Sequence, residues 1–187
     1  MNILSIDAET DGLWGRSFWI GAVLYSEEGE FLDEINVAIH PSRLKINDEW
    51  VRENVVPLVS EVDGVEYADH SREMLEKFAE FYNKYREEST VLWHMGHIVE
   101  AQLFRDLYSN DLIGQWDAPY TPIEVSQVLR EAGEKPDSVD DYLEDNGIEV
   151  EGSPHDPVYD CKAAATVYFH IQGRKKEHYE RLSEQIK

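Results

Sequence analysis

The 187-residue chain is nearly without cysteine: Cys161 is the only one. An intrachain disulfide is therefore excluded, and a zinc site built on cysteine pairs lacks its ligands. Long apolar runs are missing as well. Nothing approaches the roughly 20 consecutive apolar residues of a membrane span, and the opening residues carry no signal-peptide pattern. The expectation is a cytoplasmic protein with no membrane partner. Basic residues are scarce, with 17 Lys and Arg against 39 Asp and Glu, for a formal net charge of −22. The averaged field of such a chain repels nucleic acid. That field is screened beyond about 8 Å at physiological salt, so a local cation cluster or a bound divalent metal can still attract a phosphate. No internal repeat, linker or low-complexity segment interrupts the chain.

What is present argues for a packed globular protein. Hydrophobic residues make up 42% of the sequence and five are Trp. The length is that of one domain, expected to span residues 1–187, able to bury most of its apolar surface.

The richest segment opens the chain. Ile3-Leu4-Ser5-Ile6 runs directly into Asp7-Ala8-Glu9-Thr10-Asp11-Gly12. An apolar run ending in acids two residues apart reads as a buried strand with carboxylates at its end, and strand alternation puts Asp7 and Glu9 on one face. Two ionised carboxylates that close repel each other unless they share a proton or a divalent cation. A solvated acidic turn is the plain alternative, and Asp11 before Gly12 reads as turn chemistry.

Further along, Phe18 to Tyr25 and Phe31 to Ile39 read as strands joined by the Glu27-Glu28-Gly29-Glu30 turn, an antiparallel meander. Asp48 to Val55 reads as a short helix with Asp48 as N-cap, stopped near Pro57. Met74, Leu75, Phe78, Ala79, Tyr82 and Tyr85 recur at helical spacing and predict a helix from Ser71 to Tyr85, its aromatic stripe serving as core. Thr90 to Trp93 reads as a strand, Glu100 to Tyr108 as a helix and Gln115 to Pro122 as a loop. Ile123 to Ala132 and Ser138 to Asn146 read as short helices. The acidic run from Glu134 to Glu151 reads mostly as a solvated face. A helix from Pro157 through Ile171 follows, then a separate charged helix after Gly173. Strands followed by helices alternating with further strand predict an α/β fold, a mixed β-sheet flanked by α-helices.

Partners for the opening acids stand far downstream, in His155-Asp156-Pro157-Val158-Tyr159-Asp160. Pro157 suits the first turn of a helix, where a missing N–H costs nothing. The helix dipole favours negative charge there, which supports an ionised Asp160. Ala163, Ala164 and Ala165 are small enough to let this helix approach the sheet and bring Asp160 against the first strand. Glu100, at the start of the helix after the Thr90 to Trp93 strand, is the candidate fourth carboxylate. An ordinary solvated Glu is the alternative, and His97 or Asp106 takes the role if the register is shifted.

Asp7-Ala8-Glu9-Thr10 with Gly12, an acid after a central strand, and His155 through Asp160 resemble, in order, the motifs of the DEDDh exonucleases of the RNase H-like fold. Glu49-Trp50-Val51-Arg52 with Val55-Val56-Pro57, and the Trp93 region with Gly96, are similar to the RNase AS branch of small bacterial 3′–5′ exoribonucleases. The second motif departs from the pattern. Relatives commonly carry Asn or Gly a few residues before an Asp, whereas this chain has Gly96-His97-Ile98-Val99-Glu100.

The resemblance implies that Asp7, Glu9, Glu100 and Asp160 hold two Mg²⁺ or Mn²⁺ ions and that His155 is the general base of a 3′–5′ exonuclease. Nucleoside 5′-monophosphates would be released from the 3′ ends of single-stranded RNA. It implies that Thr10, Leu13 and Trp14 meet the terminal nucleotide, Trp14 by stacking on a base; the plain alternative for Trp14 is a core or rim aromatic. It further suggests a homodimer and a taste for adenylate-rich RNA. Arg16, Arg43, Lys45 and Arg52 are the nearest basic residues in sequence for contacts to a nucleic-acid backbone. The rival readings are a 3′–5′ DNA exonuclease of the same fold, an acidic protein that mimics nucleic acid, and a degenerate nuclease domain used as a scaffold.

Overall fold

A computed structural model describes residues 1–185. Three nine-residue strands open the chain, β1 (Asn2–Thr10), β2 (Ser17–Tyr25) and β3 (Phe31–Ile39). They pair antiparallel as the expected meander. After a 3₁₀ turn at Pro41–Arg43 come the short helices α1 (Glu49–Asn54) and α2 (Leu58–Glu61), then β4 (Glu66–Ala68). Helix α3 (Ser71–Tyr85) leads to β5 (Ser89–Trp93) and α4 (Val99–Ser109). The rest is β6 (Ile123–Glu124), α5 (Val125–Ala132), α6 (Val139–Asp145) and α7 (Pro157–Gln185). Among the described residues the strands form one mixed sheet in the order β4-β3-β2-β1-β5-β6.

Alternation along β1 divides the molecule. Leu4, Ile6 and Ala8 face a core closed by Met74, Phe78 and Tyr82 of α3 and Leu103, Phe104 and Leu107 of α4. Ile3 faces the opposite core, built with Val125 and Leu129 of α5, Tyr142 and Leu143 of α6 and Ala163, Ala164 and Val167 of α7. Asp7 and Glu9 share the parity of Ile3, so their side chains leave the sheet on the α7 face. No described helix is long and apolar enough to cross a membrane.

Local chemistry explains the element ends. Asp48 caps α1 by accepting the Val51 N–H at 3.0 Å, and Ser138 caps α6 through the Asp141 N–H at 3.0 Å. Two sequence expectations need correction, and two short elements were not foreseen. Ile123 and Glu124 do not begin a helix; they pair parallel with Leu92 and Trp93, since a β-branched residue on the open edge of β5 gains more from the sheet. Gly173 does not divide two helices either. Helix α7 runs through it without a break, because a lone exposed Gly costs a helix only about 1 kcal/mol relative to Ala. Finally, α2 and β4 have no signal in the sequence. Each is only three or four residues long, and the parallel pairing of Val37, Ala38 and Ile39 with Glu66, Tyr67 and Ala68 is a tertiary choice.

Candidate active site

The cross-strand neighbour of Asp7 is Gly21, which carries no side chain. That gap is filled by the start of α7. A Cβ on Gly21 would lie 2.6 Å from the Pro157 carbonyl carbon and 2.7 Å from the Val158 nitrogen. The first turn of α7 therefore lies directly on the sheet beside Asp7, and Asp160 belongs to that turn. Asp156 fixes the helix start, its side chain accepting the Val158 N–H at 3.1 Å while its carbonyl accepts the Asp160 N–H at 2.9 Å. Cys161 on the next position is fully buried with its thiol held by the Gly21 carbonyl at 3.5 Å, and it offers nothing to the cleft.

His155 precedes this turn with φ +68°, the left-handed region that costs a residue with a Cβ. Strain of this kind persists only where neighbours enforce it. Here the His155 N–H donates to Asp160 Oδ2 at 3.0 Å, and Nδ1 of its ring lies 3.4 Å from Glu9 Oε1. The Trp50 ring meets the imidazole edge-on, with centroids 5.1 Å apart. One ligand atom each from Glu9, His155 and Asp160 lies within 4.8 Å of the others.

Glu100 arrives from the other side of the sheet. Strand β5 accompanies β1 only as far as Ser5, so the N–H of Ala8 has no strand partner on that side. Glu100 Oε1 accepts that N–H at 3.2 Å, and the side chain is 3% exposed. The loop that delivers it is held by Glu124, whose two carboxylate oxygens accept the N–H groups of Met95 at 2.7 Å and Gly96 at 3.2 Å. Met95 has φ +58°, the bend that allows both amides to point at one carboxylate.

These residues line one cavity of about 470 Å³. Asp7, Glu9, Glu100 and Asp160 are all in its wall with His155, joined by Asp137 and Asp140; among the described residues no Lys or Arg lines it. The electrostatic consequence is severe. Burial, together with the charges of Asp160, Glu100 and Glu9, pushes Asp7 well above the usual carboxylate range. Burial likewise pushes Glu100 up to about 8, and burial with the charge of Glu9 pushes Asp160 up to about 7. Hydrogen bonding to Glu9 raises His155 above its ordinary value. His155 offsets part of this charge, and no described Lys or Arg adds to it. A hard, oxygen-rich carboxylate set without a sulfur ligand fits divalent Mg²⁺ or Mn²⁺.

Other expected site residues fall differently. Leu13 is in the cavity wall, 56% exposed. Thr10 is buried, and its hydroxyl donates to the Gly12 carbonyl at 2.9 Å. Trp14 is 78% exposed and stands outside the wall, so it is no core residue. Of the alternatives to Glu100, His97 lines the cavity, whereas Asp106 lies outside it and accepts from Gln102 at 2.9 Å. Sequence reasoning missed Asp137, Asp140 and Glu124. Asp137 and Asp140 were hidden in an acidic run read as solvated face, and Asp140 accepts the Tyr159 hydroxyl at 2.8 Å. Glu124 caps α5 by accepting the Ser126 N–H at 3.2 Å, but its role at the cleft has no local signal, because Gly96 and Met95 are 28 and 29 residues away.

No family model matches the sequence, and no curated protein is significantly similar to it. Solved structures do match. The nuclease domain of 3′hExo, a DEDDh family member bound to rAMP, superposes with a TM-score of 0.67 at 17% identity, over 92% of each chain. Pop2p of S. pombe, in a Mg²⁺- and Mn²⁺-bound form, gives 0.64 at 17% identity over 92% of this chain and 83% of its own. The zinc-bound exonuclease I–single-stranded DNA complex of E. coli gives 0.63 at 16% identity. This chain covers 43% of that enzyme's length, matching over 98% of its own. The fold is therefore the RNase H-like fold of the DEDDh exonuclease domains.

Proposed function

We propose that the protein is a metal-dependent 3′–5′ exonuclease that releases nucleoside 5′-monophosphates, preferentially from single-stranded RNA. The observation that carries this reading is the convergence of Asp7, Glu9, Glu100 and Asp160 with His155 in one cleft. A surface that mimics nucleic acid displays its carboxylates outward. Here they are gathered where burial makes their ionisation costly, which favours a reactive metal site.

Each side chain then has a role. Asp7 and Glu9 project from the same face of β1, Asp160 comes from the first turn of α7, and Glu100 closes the set from α4. These four would hold two Mg²⁺ or Mn²⁺ ions, which supply an activated water and stabilise charge on the scissile phosphate and leaving 3′-oxygen. The Glu9 carboxylate, 3.4 Å from Nδ1 of His155, favours the tautomer protonated there, which would leave Nε2 as the basic nitrogen of the neutral ring. Nε2 takes the proton of the attacking water, a contribution of typically ~10²- to 10⁴-fold in rate. The edge contact from Trp50 restricts the imidazole to the orientation that Glu9 selects. Leu13 offers an apolar wall for the terminal nucleotide.

The preference for RNA draws support from the Glu49-Trp50-Val51-Arg52 segment. Its likeness to the RNase AS branch involves a residue, Trp50, in contact with the proposed base. A DNA exonuclease is the second reading. Structures of this fold include a 3′-exonuclease recognising a histone mRNA stem-loop and Exonuclease X with 5′-overhanging duplex DNA. The test sets ribo- and deoxyribo-oligomers of one sequence side by side with Mg²⁺, identifying products by chromatography. Faster release of ribonucleoside 5′-monophosphates supports the proposal; faster deoxynucleotide release replaces RNA with DNA; 3′-monophosphate products contradict the chemistry.

A further inference from the structure

The cleft poses an electrostatic problem for its own substrate, with six carboxylates in its wall and no Lys or Arg among the described residues that line it. A polyanionic strand must find its cations elsewhere. Among the described residues, nine of the chain's 17 Lys and Arg are already spent in ion pairs: Arg72, Lys77, Lys84, Arg86, Lys135, Lys162, Arg174, Lys175 and Arg181. Arg16, Arg43 and Lys45 are exposed and form no ion pair with any described residue. All three line a second cavity of about 370 Å³. Such convergence in a chain of net charge −22 is not what scattered surface cations produce.

The loop from Asp11 to Arg16 borders both the second cavity and the cleft. Asp11 and Arg16 line the basic cavity, while Leu13, between them in sequence, lines the cleft. The loop they form is fixed by Asp11. Its Oδ1 accepts the N–H groups of Asn47 and Asp48, each at 2.8 Å, and its Oδ2 accepts Asn47 Nδ2 at 2.7 Å. Asp11 is the acid in the cavity lining and is consumed by these bonds, so three cations face one committed carboxylate. The same segment runs on into α1, whose Trp50 touches His155. One short stretch of chain thus joins the basic cavity to the proposed base. Ser71, the first residue of α3, lines the cavity too, and Phe18, Ile39, Leu44 and Ile46 give it an apolar floor. Its volume is in the range of ligand pockets.

We infer that the cavity lined by Arg16, Arg43 and Lys45 is a phosphodiester-binding subsite that holds a single strand upstream of the 3′ nucleotide in the cleft. The subsite rests on the nuclease reading for the direction of the strand, though not for its affinity. Phosphate neutralisation dominates such binding and makes it salt-dependent, with a slope of about −0.7 per phosphate for single strands. At close range the three cations act despite the net charge, because the acidic far field is screened within about 8 Å.

The test is fluorescence anisotropy with 5′-labelled ribo- and deoxyribo-dodecamers, and with a dinucleotide, in Ca²⁺ to limit turnover. Arg43→Gln with Lys45→Gln is compared with wild type and with Lys84→Gln with Lys135→Gln, which removes the same charge elsewhere. The expected result is about tenfold weaker dodecamer binding, a salt slope shallower by about 1.4, and less than about twofold change for the dinucleotide. The elsewhere-neutralised pair should bind dodecamers within about twofold of wild type. Equal losses for dodecamer and dinucleotide, equal losses in the two double variants, or no loss at all would overturn the subsite. Nuclease assays on the same wild-type preparation separate the two ideas. An inactive wild type whose dodecamer binding still depends on Arg43 and Lys45 keeps the subsite and removes the nuclease; an active wild type with unchanged variant binding does the reverse.

Discussion

Glu100 occupies the place of a missing strand: its Oε1 accepts the Ala8 N–H at 3.2 Å, three residues past Ser5, where the β1–β5 pairing ends. The side chain therefore has two duties, one structural and one electrostatic, and substitutions separate them. Glu100→Gln keeps an acceptor and removes the charge. Turnover and metal affinity should fall at least about tenfold, with metal-free stability equal to or above wild type, since a buried carboxylate is lost. Glu100→Asp keeps the charge on a shorter arm and should lose the Ala8 bond, costing about 1 kcal/mol in a denaturant titration. Normal turnover in Glu100→Gln would remove Glu100 from the site.

The cleft predicts an unusual stability profile for the metal-free protein. Glu100 is raised from 4.5 to about 8 and Asp160 from 3.8 to about 7, so each favours the folded state while protonated. That stability is complete below the ordinary carboxylate values and disappears as pH rises through the folded ones. His155 is raised as well, and its contribution also fades with rising pH. In a chelator, the melting temperature should fall between about pH 5 and pH 8, and Mg²⁺ should restore more at the upper end. A flat chelated profile, or an equal Mg²⁺ effect at both ends, would contradict the account. Glu100→Gln should flatten part of the slope.

His155→Gln removes the basic nitrogen while retaining a side chain of similar reach. The expectation is a fall in kcat of ~10²- to 10⁴-fold with little change in metal affinity. Calorimetry with Mn²⁺ in parallel with kinetics checks both halves. A fall in metal affinity as large as the fall in kcat would make His155 a ligand instead of the base.

Gly21→Ala tests how the site is positioned. The new methyl would lie 2.6 Å from a backbone carbon of Pro157 and must push α7 from the sheet. Overpacking of this kind costs about 1–3 kcal/mol. Because Asp160 rides on that turn, activity at a temperature where the variant is fully folded should fall at least about tenfold. A stable variant with unchanged activity would show that the contact does not set the geometry.

Much of this was legible beforehand, for reasons particular residues make plain. The meander announced itself because β1, β2 and β3 are long, rich in apolar and β-branched or aromatic residues, and joined by short turns. The stripe from Met74 to Tyr82 is buried as its spacing requires. Asp7, Glu9, His155 and Asp160 could be assembled because each pair is local in sequence, two and five residues apart. What stayed hidden depends on distant partners. Glu124 holds the Met95 turn from 29 residues away, β6 exists only through β5, and Gly21 matters only once α7 rests upon it. Asp140 was concealed by the acids around it. The basic cavity draws its lining from β2, β3, the turn after it and α3, which no sequence window spans.

The most direct test follows a 5′-labelled single-stranded RNA over time with Mg²⁺, wild type beside Asp7→Ala. Wild type should shorten the strand one nucleotide at a time from the 3′ end, and Asp7→Ala, confirmed folded by circular dichroism, should leave it intact over the same period. Internal cleavage fragments, an inert wild type, or an Asp7→Ala protein as fast as wild type would contradict the assignment.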